Sequence, residues 1–153
     1  MNMKKIAASL AITSLTCVVL LSSANKSELI LGKWDCDFSM TEQGMSMDLN
    51  IIQNYLKDGT NSAVGTIAVA NEAMGLDVAF SVEAESTWYI EGSYIYETIT
   101  GGKVESLKES PFDVMFAEKD LLPIGKTESV EILELNDSTL RIMSDAQEFN
   151  CVR

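Results

Sequence analysis

The sequence predicts an all-β protein, an antiparallel meander that closes into a barrel or packs as a sandwich. Short runs of strict apolar–polar alternation follow one another along the chain, separated by turn residues at regular spacing. Only two prolines occur in 153 residues, so little interrupts strand pairing. Cys36 lies in the first run and Cys151 in the last, and joining them ties the first strand to the last.

Those two are the cysteines left once an N-terminal leader is removed. The chain starts Met1-Asn2-Met3-Lys4-Lys5, runs apolar from Ile6 to Leu21, and then reads Ser22-Ser23-Ala24. A charged start, a short apolar core and a small-x-small exit predict a secretory signal peptide cut after Ala24. The apolar run is shorter than the ~20 residues needed to span a bilayer. Lipid on Cys17 is the competing reading, but Ser14-Leu15-Thr16 matches a lipoprotein approach poorly. The expected division is a signal peptide over 1–24 and one domain over 25–153, working outside the cytoplasm in the periplasm or as a secreted protein. The formal charge of −12 becomes −14 once Lys4 and Lys5 leave with the leader. Nucleic acid and anionic membrane surfaces are therefore excluded as partners by repulsion, while a basic partner is allowed.

The first strand spans Leu29 to Met40: Ile30, Gly32, Trp34, Cys36, Phe38 and Met40 alternate with Lys33, Asp35, Asp37 and Ser39. After the turn at Thr41–Gly44, Met45, Met47, Leu49 and Ile51 carry a second strand toward Leu56. Asp58-Gly59 marks the next hairpin. A third strand runs from about Ser62 to Ala70. The fourth shows Leu76, Val78, Phe80, Val82 and Ala84 on one face and continues through Trp88 and Ile90. A fifth, Tyr94 to Thr100, ends at Gly101-Gly102, with Lys103 to Leu107 pairing next. Ser110-Pro111-Phe112-Asp113 reads as a helix start, serine capping and proline in the first position. Phe112, Met115, Phe116 and Lys119 share one face of that helix, which ends before Pro123 and lids one end of the barrel. The hairpin Val130–Leu135 and Thr139–Met143 follows, and Glu148 to Val152 closes the chain, with Phe149 and Cys151 facing inward.

Catalytic signatures are absent. The chain has no histidine, which removes the commonest general base and a frequent zinc ligand. Asp35/Asp37 and Glu83/Glu85 place carboxylates on one side of a strand, but calcium takes about 6–8 oxygen ligands, and a solvated face accounts for both pairs. Met40, Met45 and Met47 offer thioethers suited to Cu(I); interior packing beside Leu49 explains Met45 and Met47 without metal. No catalytic residue, metal ligand or cofactor is assigned. Trp34, Phe38, Phe80, Trp88, Phe149 and one or two of the tyrosines 55, 89, 94 and 96 converge on the interior. A barrel of about eight strands either fills with such side chains or holds one small ligand.

Gly32-Lys33-Trp34 resembles the Gly-x-Trp opening of lipocalins and bacterial lipocalin-like domains. The Tyr55–Thr60 hairpin, Thr87-Trp88-Tyr89-Ile90-Glu91-Gly92 and the Val130 to Met143 hairpin are similar, in order and spacing, to the meander of that family. The resemblance implies an up-and-down barrel plugged at one end by Trp34, with an apolar ligand entering at the other. It also implies an arginine packed across that tryptophan, for which Arg153 and Arg141 are the candidates.

The expectation is thus a lipocalin-like antiparallel up-and-down barrel with one short helix, clipped by Cys36–Cys151. It would be a non-enzymatic module binding a small hydrophobic or amphiphilic molecule. The expected lining is Trp34, Phe38, Met47, Leu49, Val78, Phe80, Val82 and Trp88. The rival function is an acidic inhibitor or immunity-type protein that blocks a basic exported partner.

Overall fold

A computed structural model describes residues 25–116 and 121–153. The expected signal peptide, with Cys17, lies outside the described residues, as does Lys119 of the expected helix face. Eight strands pair strictly with their chain neighbours, and the last returns to the first: β1 Gly32–Glu42, β2 Met45–Tyr55, β3 Thr60–Asn71, β4 Leu76–Glu91, β5 Tyr94–Ser106, β6 Thr127–Leu135, β7 Thr139–Ser144 and β8 Gln147–Val152. The result is a closed, antiparallel, up-and-down barrel. Closure removes every sheet edge, and strand alternation then sorts side chains into lumen and exterior.

The seam between β1 and β8 is short. Only Asp35–Val152, Cys36–Cys151 and Asp37–Asn150 pair there, against eleven residue pairs between β1 and β2. Cys36 and Cys151 are directly opposed and buried, and they form the disulfide across this seam.

Three expectations are corrected. Leu29 to Leu31 are not part of β1: residues 25–29 are helical and Ile30 is in a turn. Gly32, the first residue of β1, has φ +104°, a conformation that favours glycine and turns the preceding residues away from the strand direction. Ile30 is nonetheless fully buried, which is why its apolar character kept phase with Trp34. Gly101-Gly102 is not a turn either; β5 runs through it, and both halves pair with β4. Thr100 is the extra residue of a β-bulge, its hydroxyl donating to the Glu85 carbonyl at 3.1 Å. A Cβ on Gly102 would run into the Glu83 carbonyl and the Leu122 side chain, so the bulge requires glycine there. Finally, Ser110-Pro111 does not open the helix as expected: the described residues after it form a 3-10 turn, Asp113–Met115, capped at Phe112 rather than by serine, while Leu121, just before Pro123, is helical. The Ser110 hydroxyl instead accepts from the Phe112 amide, and Asp113 Oδ2 accepts from the Ser110 amide and the Ser106 hydroxyl.

The lumen contains two apolar clusters. At the closed end Ile30, Trp34, Tyr55, Trp88, Ile95, Ile132, Leu140 and Ile142 pack together with the disulfide. Toward the other end Val69, Leu76, Val78 and Phe80 form a second cluster, covered by Phe112, Phe116 and Leu121. Of the four tyrosines only Tyr55 is interior; Tyr89 and Tyr96 stack on the outer face at 4.9 Å, beside Tyr94.

Candidate functional site

The closed end is built by the two chain termini of the barrel. Trp34 is fully buried and its Nε1 donates to the Ile30 carbonyl at 2.7 Å. The Arg153 guanidinium lies 4.0 Å from the centre of the Trp34 ring. It donates to the carbonyls of Leu31 (2.6 Å), Leu29 (2.8 Å) and Asp137 (2.6 Å). The bonds to Leu29 and Leu31 satisfy carbonyls at the end of the helical turn at 25–29, and the bond to Asp137 ties the turn between β6 and β7 to them. Arg141, the other candidate, sits on the exterior between Glu134 and Glu148.

The opposite rim holds an apolar cleft of about 570 Å³, lined by Met40, Glu42 and Gln43 of the first turn region, Met45 and Met47 of β2, Val69, Asn71, Met74 and Phe116. Four methionines thus meet at one mouth. Their unbranched, polarizable side chains suit an adaptable apolar lip. Met40 Sδ accepts from Gln147 Nε2 at 3.4 Å, which holds it toward β8.

Between the two ends lies a luminal cavity of about 90 Å³. Its apolar wall is Ile95, Ile99, Val130 and Ile142; its polar groups are Gln53, Tyr55, Glu97 and Glu128. Glu97 is an interior residue because it alternates with Ile95 and Ile99 and lies opposite Trp88. Asn61, buried on β3, donates from Nδ2 to Glu97 Oε1 at 3.2 Å and to Gln53 Oε1 at 2.9 Å, while its own Oδ1 accepts from the Asn54 amide. Burial holds the Glu97 carboxyl above the ordinary glutamate value, against the lowering pull of the Tyr55 hydroxyl and the Asn61 amide; the Glu128 charge pushes it further up. Tyr55 stays protonated, its hydroxyl held well above its usual value first by burial and then by the charge of Glu97.

The sign of the resulting pH dependence is fixed. Because the folded state binds the Glu97 proton more tightly than the unfolded chain, this group contributes most below the ordinary glutamate value. Its contribution falls as pH rises through the folded value. Glu148, lowered by Arg141, acts in the opposite sense, so the two are separated by comparison with a variant. Glu97→Gln keeps an acceptor for Asn61 and removes the charge. Its urea midpoint is expected to exceed the parent's at pH 7, the gap shrinking toward pH 4; a gap independent of pH would contradict the assignment.

The expected lining residues do not form one surface. Val78 and Phe80 belong to the cluster near the mouth, with Met47 packed against them, and Val82 is buried in the lumen next along β4. Phe38 is half-buried, stacked on Phe149 at 4.5 Å and paired with Leu49 across the strands. Trp34 and Trp88 sit in the closed-end cluster; the Trp88 indole donates to the carbonyls of Leu56 (3.2 Å) and Thr60 (2.9 Å). Met47 alone of the eight lines the mouth cleft. The acid pairs lie on the exterior, where Asp37 accepts from Asn50 and Glu83 pairs with Lys103 at 3.3 Å. Among the described residues no three His, Cys, Asp or Glu side chains are grouped to hold a metal ion.

Sequence reading missed Glu97, Gln53 and Asn61 as luminal groups. The signal was present: Glu97 keeps step with Ile95 and Ile99. Tyr94 and Tyr96 gave the opposite face an equally apolar look, so the period alone did not choose.

Fold and site together define a small closed up-and-down barrel, an architecture that at eight strands has room for its own side chains or one small ligand. It is similar to the crystal structure of a lipocalin-like protein from Bacteroides uniformis ATCC 8492, at 19% identity and a TM-score of 0.45, covering 82% of this chain and 98% of that one. No family model and no curated protein matches the sequence.

Proposed function

We propose that this chain is an exported, non-enzymatic binding protein that takes a small hydrophobic or amphiphilic ligand through the methionine-lined mouth of the barrel. The observation that carries this reading is the cleft of about 570 Å³ formed by Met40, Met45, Met47, Val69, Met74 and Phe116. That size and lining suit a small molecule. Met47, Phe80 and their neighbours would receive its apolar end, with Phe38, Leu49, Val78 and Val82 deeper in the lumen. Trp34 and Trp88 would support the wall rather than touch the ligand. Export rests on the leader at 1–24 and on a disulfide, which persists in oxidising compartments. The rival reading, capture of a basic partner, rests on net charge alone and so ranks second.

Titration with a fatty acid, a lysophospholipid and haem, followed by tryptophan fluorescence, tests this. At least one is expected to give a saturable change. Met45→Lys, at a position 44% exposed and so tolerant, is expected to weaken that binding by about tenfold by placing a charge in the apolar lip. No saturable change with any member would refute the reading.

A further inference from the structure

We propose that the luminal cavity at Glu97 is a receptor for a primary ammonium group, so that the preferred ligand of this barrel is an alkylamine rather than a fatty acid. The inference deepens the function proposed above and rests on it for the apolar character of the ligand, whose alkyl part would here lie on the aliphatic wall of this cavity rather than in the mouth cleft.

The cavity offers two acceptors inside, the Glu97 carboxylate and the amide oxygen of Gln53, and a third at its solvent-exposed edge, the Glu128 carboxylate, opposed to Glu97 across β5 and β6 and shared with Lys126. A primary ammonium carries three N–H donors and matches that number. The rest of the wall is aliphatic, which suits the methylenes next to the nitrogen. A volume of about 90 Å³ admits an ammonium and its first carbons, not a bulky quaternary head. A hard divalent cation would need about six oxygen ligands, more than this wall holds.

Charge around the cavity points the same way. Among the described residues, the basic groups borne on strands lie outside the lumen: Lys33 is exposed on β1, Lys103 pairs with Glu83 and Glu105, and Arg141 with Glu134 and Glu148. Lys126 pairs with Glu128 at 2.8 Å on the exposed side, and among the described residues no basic group pairs with Glu97. Glu97 is instead held by neutral donors, Asn61 and Tyr55. A buried carboxylate with neutral partners costs stability, and a ligand cation offsets that cost. A ligand carboxylate would meet the like charge of Glu97 there.

The test is calorimetric titration at pH 7 with hexylamine, hexanol and hexanoate, and with methylamine as the headgroup alone, on the parent protein and on Glu97→Gln. Hexylamine is expected to bind about tenfold or more tightly than hexanol, with hexanoate weakest, and Glu97→Gln should abolish the preference. Hexanol binding as tightly as hexylamine would overturn the ammonium site while leaving the apolar-ligand reading intact. Methylamine binding as tightly as hexylamine would do the reverse. An amine preference that survives Glu97→Gln would overturn the assignment to this cavity, and absence of binding by both amines would overturn the ammonium site outright.

Discussion

Replacing both Cys36 and Cys151 by alanine is expected to cost about 3–5 kcal/mol, a fall of about 2 M in the urea midpoint. Two features combine to make this large. The bridge closes a loop with a sequence separation of 115, so its removal frees nearly the whole unfolded chain. It also spans the weakest seam of the barrel, where three residue pairs join β1 to β8. Without it, those pairs alone must keep the sheet closed, and failure there would expose two strand edges. The double variant avoids leaving one thiol free. Backbone amide exchange should report the same event, rising first at Asp35, Asp37 and Asn150. A reduced protein that unfolds at the oxidised midpoint would show that the seam holds itself.

Trp34→Ala is expected to cost about 4 kcal/mol, because a fully buried indole leaves a cavity that the surrounding strands cannot fill. The change also strips the Ile30 carbonyl of its 2.7 Å donor and removes the ring beneath Arg153. Arg153→Gln alone should cost less, since it loses the ring contact and three carbonyl partners at an exposed position. The double variant should lose less than the sum of the two, since each single change already disrupts the shared contact. Denaturation of all four proteins closes the cycle. Strict additivity would mean that Arg153 and Trp34 act independently, and that the plug is two contacts rather than one.

Neither change touches the luminal carboxylate, and the contrast is informative. The closed end is stabilised at every point: buried indole, ring-stacked guanidinium, satisfied carbonyls. The middle of the lumen carries Glu97, a group whose ionisation works against folding. Natural proteins retain such groups where binding needs them. The same substitution, Glu97→Gln, is therefore expected to raise stability at neutral pH and to lose amine preference.

The strands were legible from the sequence because strand alternation is a local signal: two residues per repeat, with one face buried, is visible in any seven-residue window. Leu76 to Ala84 is the clearest instance, and the whole run, through Trp88, kept its phase in the barrel. The pairing of Cys36 with Cys151 was legible by count and compartment. What the local signal lacked was a neighbour. Whether Gly101-Gly102 ends a strand or forms a bulge depends on whether β4 continues alongside, and β4 does. Whether Ile30 belongs to the strand or to the turn beneath it depends on Arg153, 123 residues away by number, taking the carbonyls of Leu29 and Leu31. Whether Glu97 or Tyr96 faces inward depends on Trp88 and Asn61. The sequence by itself determined which segments are strands, how they alternate and which cysteines can meet. The tertiary structure decided which face of β5 is the lumen, which arginine covers Trp34 and where a carboxylate is buried. Those depend on pairing between strands distant in sequence, and no local period encodes them.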